Sequence, residues 1–141
     1  RLEAWVQDKD PKGTNVRAAP SLNAKIIKVF PSFDVTDEDT DLTLVGYRNG
    51  WFEILMGENG RKKGWISAKK VAVAVENKTG KPATLYALPS KTSRKVGKIP
   101  NDAPVFEIVG FDCFGLKIKY KNITGWLSKD EMCGNPRTTC S

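Results

Sequence analysis

An all-β protein built of two small units is what this sequence predicts, on three observations. A long segment recurs: NGWFEILMGENGRKKGWIS at 49–67 returns as CFGLKIKYKNITGWLS at 113–128. Apolar and polar residues alternate over short stretches, the period of a half-buried strand. No segment carries a helical period over a helix-length window. A chain of 141 residues would ordinarily hold one domain, but each copy of a repeat must bury its own apolar face, so two units of about 70 residues are expected.

Aligned copy on copy, residues 6–31 run without a gap against 75–100 at an offset of 69, pairing VRAAPS at 16–21 with LYALPS at 85–90. Ala18, Pro20 and Ser21 recur as Ala87, Pro89 and Ser90. The offset then falls to 64, pairing LVGYRNGWFEI with IVGFDCFGLKI, and to 61, pairing KGWIS with TGWLS. The first copy therefore holds insertions of five and three residues, one around the acidic run DEDTD at 37–41 and one within GENGRKK at 57–63. Insertions collect in surface loops, so both are placed in loops.

In WFEILM at 51–56, Phe52, Ile54 and Met56 fall on one face, and in LKIKY at 116–120, Leu116, Ile118 and Tyr120 fall on the equivalent one. Both stretches read as strands that bury that face. GEN and the Asn59-Gly60 pair in the first copy, and KNITG in the second, supply hairpin-turn residues. Short strands at this spacing, punctuated by Gly and Pro, predict two small β-barrels or sandwiches. VAVAV at 71–75 would open the second unit, so the expected organisation is 1–70, 71–132 and a tail at 133–141.

The succession VRAAPS, IIKVF, VGYRNGWFEI, KKGWIS resembles the bacterial SH3-like domain, whose usual pattern opens on V-R-x-x-P-S, continues through a G-W-[YF]-x-[IV] strand and closes on G-W-[IV]-S. The resemblance covers about residues 6–70 in the first copy; the second departs from it, with Tyr86 where the arginine stands and Gly115 where Trp51 stands. It implies two tandem small SH3-like β-barrels. Domains of this kind are found in exported bacterial proteins, where they accompany cell-wall hydrolases as non-catalytic binding modules, and some of them recognise peptidoglycan peptides.

Histidine is absent, which removes Cys-His and Ser-His dyads, histidine general bases and histidine-containing zinc sites together. SAKK at 67–70 matches S-x-x-K in letters, but that chemistry needs the serine opening a helix in a deep cleft, with partner motifs this sequence lacks. A glycosidase needs only two carboxylates, yet nothing places a second carboxylate opposite DEDTD, and a calcium loop would need a turn glycine and a bidentate glutamate. The chain is therefore expected to be no enzyme and to need neither cofactor nor metal.

Cys133 and Cys140 flank CGNPRTTC, where Asn-Pro favours a turn that brings the ends together, so a small disulfide loop is the expected pairing. The alternatives are free thiols at Cys133 and Cys140 or a bond between Cys113 and Cys133, since three cysteines allow three single bridges and the sequence does not choose. A disulfide implies an oxidising compartment, and with the resemblance the expected location is periplasmic or secreted. The sequence begins at Arg1 without a signal peptide, as either a processed secreted protein or a trimmed chain would. Two glycosylation sequons, at Asn77 and Asn122, matter only in a eukaryotic secretory pathway. No stretch approaches the roughly 18 apolar residues that a membrane span requires.

Of the formal net charge of +7, residues 1–76 carry +1, from 12 Lys and Arg against 11 Asp and Glu, and residues 77–141 carry +6, from 11 against 5. Lys91, Arg94, Lys95 and Lys98 cluster, and Lys117, Lys119 and Lys121 alternate on one strand, which predicts three ammoniums on one solvent face. Such a row reads either as a solvated face that aids solubility or as an electrostatic site for an anionic partner, such as wall polymer, lipopolysaccharide or acidic protein. Nucleic acid is not expected, because aromatic interleaving is partial and no recognised motif is present.

With Phe52 and Ile54 inward, Trp51 points outward, near Tyr47 and Arg48. Tyr47, Trp51 and Glu53 then form the candidate platform for a peptide or sugar. Packing of Trp51 against the segment around Trp5, or against the second domain, is the alternative. Trp65 and Trp126 stand at the same place in both copies and are read as structural. Because Gly115 replaces Trp51, the aromatic site is not expected in the second copy. Peptidoglycan or a peptide is the expected partner; an envelope protein, such as an assembly partner or a secreted hydrolase to be inhibited, is the alternative.

Overall fold

Residues 2–37, 40–75, 77 and 79–132 are described by the computed structural model. The protein is all-β apart from one helical turn and two short 3-10 turns among these residues, and it divides into two compact units, the first running from Glu3 to Val71 and the second from Ala72 onwards. No described helix is long and apolar enough to cross a membrane.

Unit 1 contains β1 (Leu2–Val6), β2 (Thr14–Arg17), β3 (Ile26–Phe30), a helical turn at Phe33–Thr36, β4 (Asp41–Arg48), β5 (Trp51–Met56) and β6 (Lys62–Ser67). Its strands follow one another in the order β1-β4-β5-β6-β2-β3, so β3 is an edge. The β4–β5 turn is set by Asn49 and Gly50, both with positive φ (48° and 88°), the two-residue hairpin geometry that Asn-Gly favours. It pairs Arg48 with Trp51 and so fixes which β5 residues face inward. Phe52 and Ile54 are fully buried, Phe52 pairing with Ile66 and Ile54 with Leu44, and Leu44, Ile66 and Val16 are likewise without exposure. Burial of this kind contributes about 1.5–3 kcal/mol per side chain.

Unit 2 contains β7 (Val71–Ala74), β8 (Ala83–Tyr86), β9 (Lys95–Ile99), β10 (Pro104–Val105), β11 (Glu107–Asp112), β12 (Gly115–Tyr120) and β13 (Ile123–Ser128). β10 pairs with β7, and the others follow in the order β11-β12-β13-β8-β9. Leu85, Ile99, Leu116, Ile118 and Leu127 form its fully buried core.

The repeat extends to backbone register. Thr14↔Phe30 and Arg17↔Ile26, with an irregularity after Val16, recur as Ala83↔Ile99 and Tyr86↔Lys95, with an irregularity after Leu85. Gly64 and Gly125 hold the same place in the two units. A Cβ would run into Val16 and Ile27 at the first and into Leu85 and Val96 at the second, so each glycine lets two layers of side chains close. Both units end their last strand on a serine, Ser67 or Ser128, whose hydroxyl accepts the N–H two residues on and opens a 3-10 turn, Ala68–Lys70 or Lys129–Glu131. The insertions fall between elements: the longer one at the helical turn before β4, the shorter one between β5 and β6, where unit 2 turns tightly from Tyr120 to Ile123.

A partly buried polar knot ties β2 of unit 1 to the end of the unit. Asp8 accepts hydrogen bonds from the Asp10 N–H (3.1 Å), the Thr14 hydroxyl (2.8 Å) and Lys70 Nζ (3.3 Å). Burial alone would raise the Asp8 carboxyl, but these three hydrogen bonds and the Lys70 charge outweigh it and hold the group below its ordinary value of 3.8. A carboxylate whose pKa is depressed by folding contributes stability that is complete above the unfolded value and is lost as pH falls through the folded value. Acid unfolding of the wild type is therefore expected to steepen below pH 3.8, and Asp8→Asn is expected to remove that component, as pH-dependent thermal melts would record.

Candidate ligand-binding face of the first unit

Directly paired residues on neighbouring antiparallel strands project to the same face. Along β5, Phe52 and Ile54 are buried, so Trp51, Glu53 and Leu55 project from the opposite face, and all three are half-buried. Trp51 pairs with Arg48 on one side and Ser67 on the other, and Glu53 pairs with Gly46 and Trp65. Trp65 in turn pairs with Arg17. The resulting face carries two indoles, Trp51 and Trp65, around one carboxylate, with the guanidinium groups of Arg48 and Arg17 at its ends.

Local packing explains the placement. An irregularity between Leu44 and Gly46 brings Gly46 opposite Glu53, and a Cβ at Gly46 would stand 3.4 Å from Glu53 Cβ and 3.5 Å from Oε1. The carboxylate thus lies back over a bare patch of backbone. Its Oε1 is 4.0 Å from Lys63 Nζ, a long, partly exposed pair that contributes little to stability. Arg17 Nη1 donates to the Ala24 carbonyl at 2.9 Å, which ties the 18–24 loop to the rim of this face.

Tyr47 belongs elsewhere. The two-residue turn that pairs Arg48 with Trp51 necessarily pairs Tyr47 with Phe52, and the two rings meet edge-on with centroids 5.2 Å apart and planes at 66°. The expected platform of Tyr47, Trp51 and Glu53 is corrected: Trp51 and Glu53 share a face, Tyr47 lies on the opposite one, and Trp65 takes its place. The signal was present in KKGWIS, since Ile66 is buried and strand parity sends Trp65 the other way.

Unit 2 repeats the row with its chemistry changed. Gly110, Lys117, Trp126 and Tyr86 pair in succession, where unit 1 has Gly46, Glu53, Trp65 and Arg17. A Cβ at Gly110 would stand 3.6 Å from Trp126 Cη2 and 3.7 Å from Lys117 Cδ, so the far edge of the indole and the lysine stem converge over that glycine. Tyr86 meets Phe114 edge-on, with centroids 5.9 Å apart and planes at 86°. Lys117 and Lys119 project from one face of β12, and neither makes an ion pair among the described residues. Lys121 does not join them. It lies beyond the strand in the tight turn, at φ 46°, with Nζ 5.6 Å from the Tyr120 ring centroid. The expected row of three ammoniums is therefore two, because the hairpin reverses before the third.

Two further polar groups, Lys91 and Asn77, are committed to structure. Lys91 Nζ lies 3.1 Å from Asp130 Oδ2, and this hydrogen bond, with the Asp130 charge, raises the Lys91 ammonium despite partial burial. The Asn77 side chain donates to the Lys81 carbonyl and to Glu131 and accepts from Thr79 and Gly80, so the amide of that sequon is engaged at both ends. Cys113 is disulfide-bonded and is not a leftover thiol; the candidate pair Cys133 and Cys140 lies outside the described residues. No group of three or more Cys, Asp and Glu side chains suited to hold a metal ion comes together among the described residues.

No protein-family model matches the chain, and no curated protein matches it. Among solved structures, NlpC2 from Trichomonas vaginalis is similar at 18% identity over 99% of this chain and 50% of that one, with a TM-score of 0.38. NlpC1 from the same organism is similar at 21% identity over 95% and 46%, also with a TM-score of 0.38. An NlpC/P60 family protein from Bacillus cereus ATCC 10987 is similar at 14% identity over 93% and 55%, with a TM-score of 0.31. The chain spans about half the length of each of these structures.

Proposed function

We propose that the chain is a non-catalytic tandem binding protein of the bacterial envelope, built on two SH3-like units, and that unit 1 recognises peptidoglycan through its stem peptides. The observation that carries this reading is the outward face of β5 and β6, where Trp51 and Trp65 flank Glu53 between Arg48 and Arg17. Indoles offer a large apolar surface at low entropic cost. The enclosed carboxylate and the flanking guanidinium groups match a short peptide that carries both ammonium and carboxylate groups. The VRAAPS and GWIS motifs support the same reading through their likeness to the bacterial SH3-like domain. Lys117 and Lys119 on unit 2, with the +6 charge of that half, would add long-range attraction to an anionic wall.

Co-sedimentation with isolated sacculi tests this. Wild-type binding is expected to persist at high salt, Trp51→Ala and Trp65→Ala each to weaken it about tenfold or more, and a Lys117→Gln, Lys119→Gln variant to lose affinity only at low salt. Binding that survives both tryptophan substitutions, or that vanishes with salt alone, would sink specific recognition by unit 1. Absence of sacculus binding together with a discrete band in a pull-down would transfer the face to a protein partner.

A further inference from the structure

Strand β3 of unit 1 and β9 of unit 2 share a backbone and differ in surface. Each is the last strand of its sheet, and each pairs with its neighbour at the same register through the same irregularity. The loops before them repeat as well, with Ala18 N–H on the Lys25 carbonyl at 2.9 Å and Ala87 N–H on the Arg94 carbonyl at 2.8 Å. Yet Leu22, Ile26 and Val29, which are 75%, 43% and 47% exposed, stand where unit 2 has Lys91, Lys95 and Lys98. Exposed Ile27, Phe33 and Val35 extend this apolar surface along and beyond the strand. Lysines on an edge strand block its pairing with another chain, whereas apolar side chains there promote it. One template thus carries an edge strand with two lysines in unit 2 and, in unit 1, an edge strand whose single lysine, Lys28, stands among exposed apolar residues.

Charge identifies the partner. Exposed Lys25 precedes β3, exposed Asp34 and Asp37 follow it, and none of the three makes an ion pair among the described residues. A strand with positive charge before its start and negative charge beyond its end is complementary to a reversed copy of itself. We propose that two copies of this chain associate about a two-fold axis by antiparallel pairing of β3 with β3, burying Leu22, Ile26, Ile27 and Val29 and setting Lys25 of each copy toward the Asp34 and Asp37 segment of the other. Pairing centred on Ile27 places Lys28 opposite Ile26 of the second copy and keeps the two Lys28 ammoniums apart; each is already turned along its own strand, 5.6 Å from the Phe30 ring centroid. This assembly does not depend on which ligand unit 1 takes.

Sedimentation equilibrium on the whole chain, from micromolar to submillimolar concentration, tests it. The wild type is expected to follow a monomer–dimer equilibrium. The Ile26→Lys, Val29→Lys variant, which installs the residues of unit 2 at exposed positions, is expected to be monomeric with an unchanged melting temperature. Lys25→Glu is expected to weaken the dimer about tenfold, and adding Asp34→Lys and Asp37→Lys to restore it. Hydrogen exchange on the wild type gives a readout independent of variant folding: β3 amides are expected to gain protection with concentration while β9 amides do not. A wild type monomeric across the range, a dimer indifferent to Ile26→Lys and Val29→Lys, or concentration-dependent protection at a different strand would overturn the proposal.

Discussion

Gly115→Ala is expected to be among the most damaging single substitutions in unit 2. Gly115 opens β12, is buried, and lies between Asp112 of β11 and Ser128 of β13. A Cβ there would overlap the Leu127 carbonyl oxygen and stand 2.8 Å from the Lys129 nitrogen, and both are backbone atoms that cannot rotate aside. Relief requires β13 or the 3-10 turn after it to move, at the expense of the 2.9 Å hydrogen bond from Lys129 N–H to the Phe114 carbonyl. Mutational costs of this type are on the order of 3 kcal/mol. For a unit of about 70 residues that lowers the melting temperature by more than about 10 °C. A thermal melt of Gly115→Ala that coincides with wild type would contradict the close approach. The same geometry explains why the second copy lacks the counterpart of Trp51: this backbone leaves no room for any side chain, and Gly115→Trp is expected to cost at least as much as Gly115→Ala.

Phe52→Ala is expected to have a comparable effect on unit 1. Phe52 is fully buried on the inner face of β5, paired with Tyr47 and with Ile66, and in ring contact with Tyr47. Truncating a buried phenylalanine costs about 3–5 kcal/mol, because the cavity is only partly refilled. A unit of about 70 residues has a total stability of this order, so the variant is expected to leave unit 1 largely unfolded at room temperature. Trp51→Ala, one residue away on the half-buried outer face, is expected to cost clearly less. Denaturant titrations of both variants give the comparison, and equal losses would contradict the assignment of faces.

Strand parity was the part of the fold most legible in the sequence. Alternation in WFEILM and LKIKY placed Phe52, Ile54, Leu116 and Ile118 in the cores because a pleated strand leaves no other arrangement once one face is apolar. Insertion positions were legible too, since a loop absorbs added residues at little cost. The candidate site was legible only in part. Trp51 and Glu53 lie on one strand, so their shared face follows from parity alone. Tyr47 lies on the neighbouring strand, and its face depends on the length of the turn at Asn49-Gly50, which proximity in sequence does not reveal. Trp65 was within reach of the parity rule, because Ile66 beside it is buried, but its recurrence as Trp126 fits a structural role equally well.

Properties that depend on neighbours across the fold were the least legible. That Lys117 occupies the place of Glu53, and that Lys95 and Lys98 occupy the places of Ile26 and Val29, gains meaning only when register shows them in equivalent surroundings. The bond at Cys113 was legible only as one alternative among the possible pairings, since disulfide pairing follows three-dimensional proximity and not spacing. The depressed Asp8 carboxyl likewise arises from Thr14 and from Lys70, 62 residues away in the chain.

The most direct test of ligand recognition by unit 1 is an NMR titration of the whole chain with soluble muropeptides, followed at the indole N–H signals of Trp5, Trp51, Trp65 and Trp126. Saturable shifts at Trp51 and Trp65 at high salt, with Trp5 unmoved, are the predicted result. Unchanged signals at Trp51 and Trp65 in the presence of saturating muropeptide would contradict it.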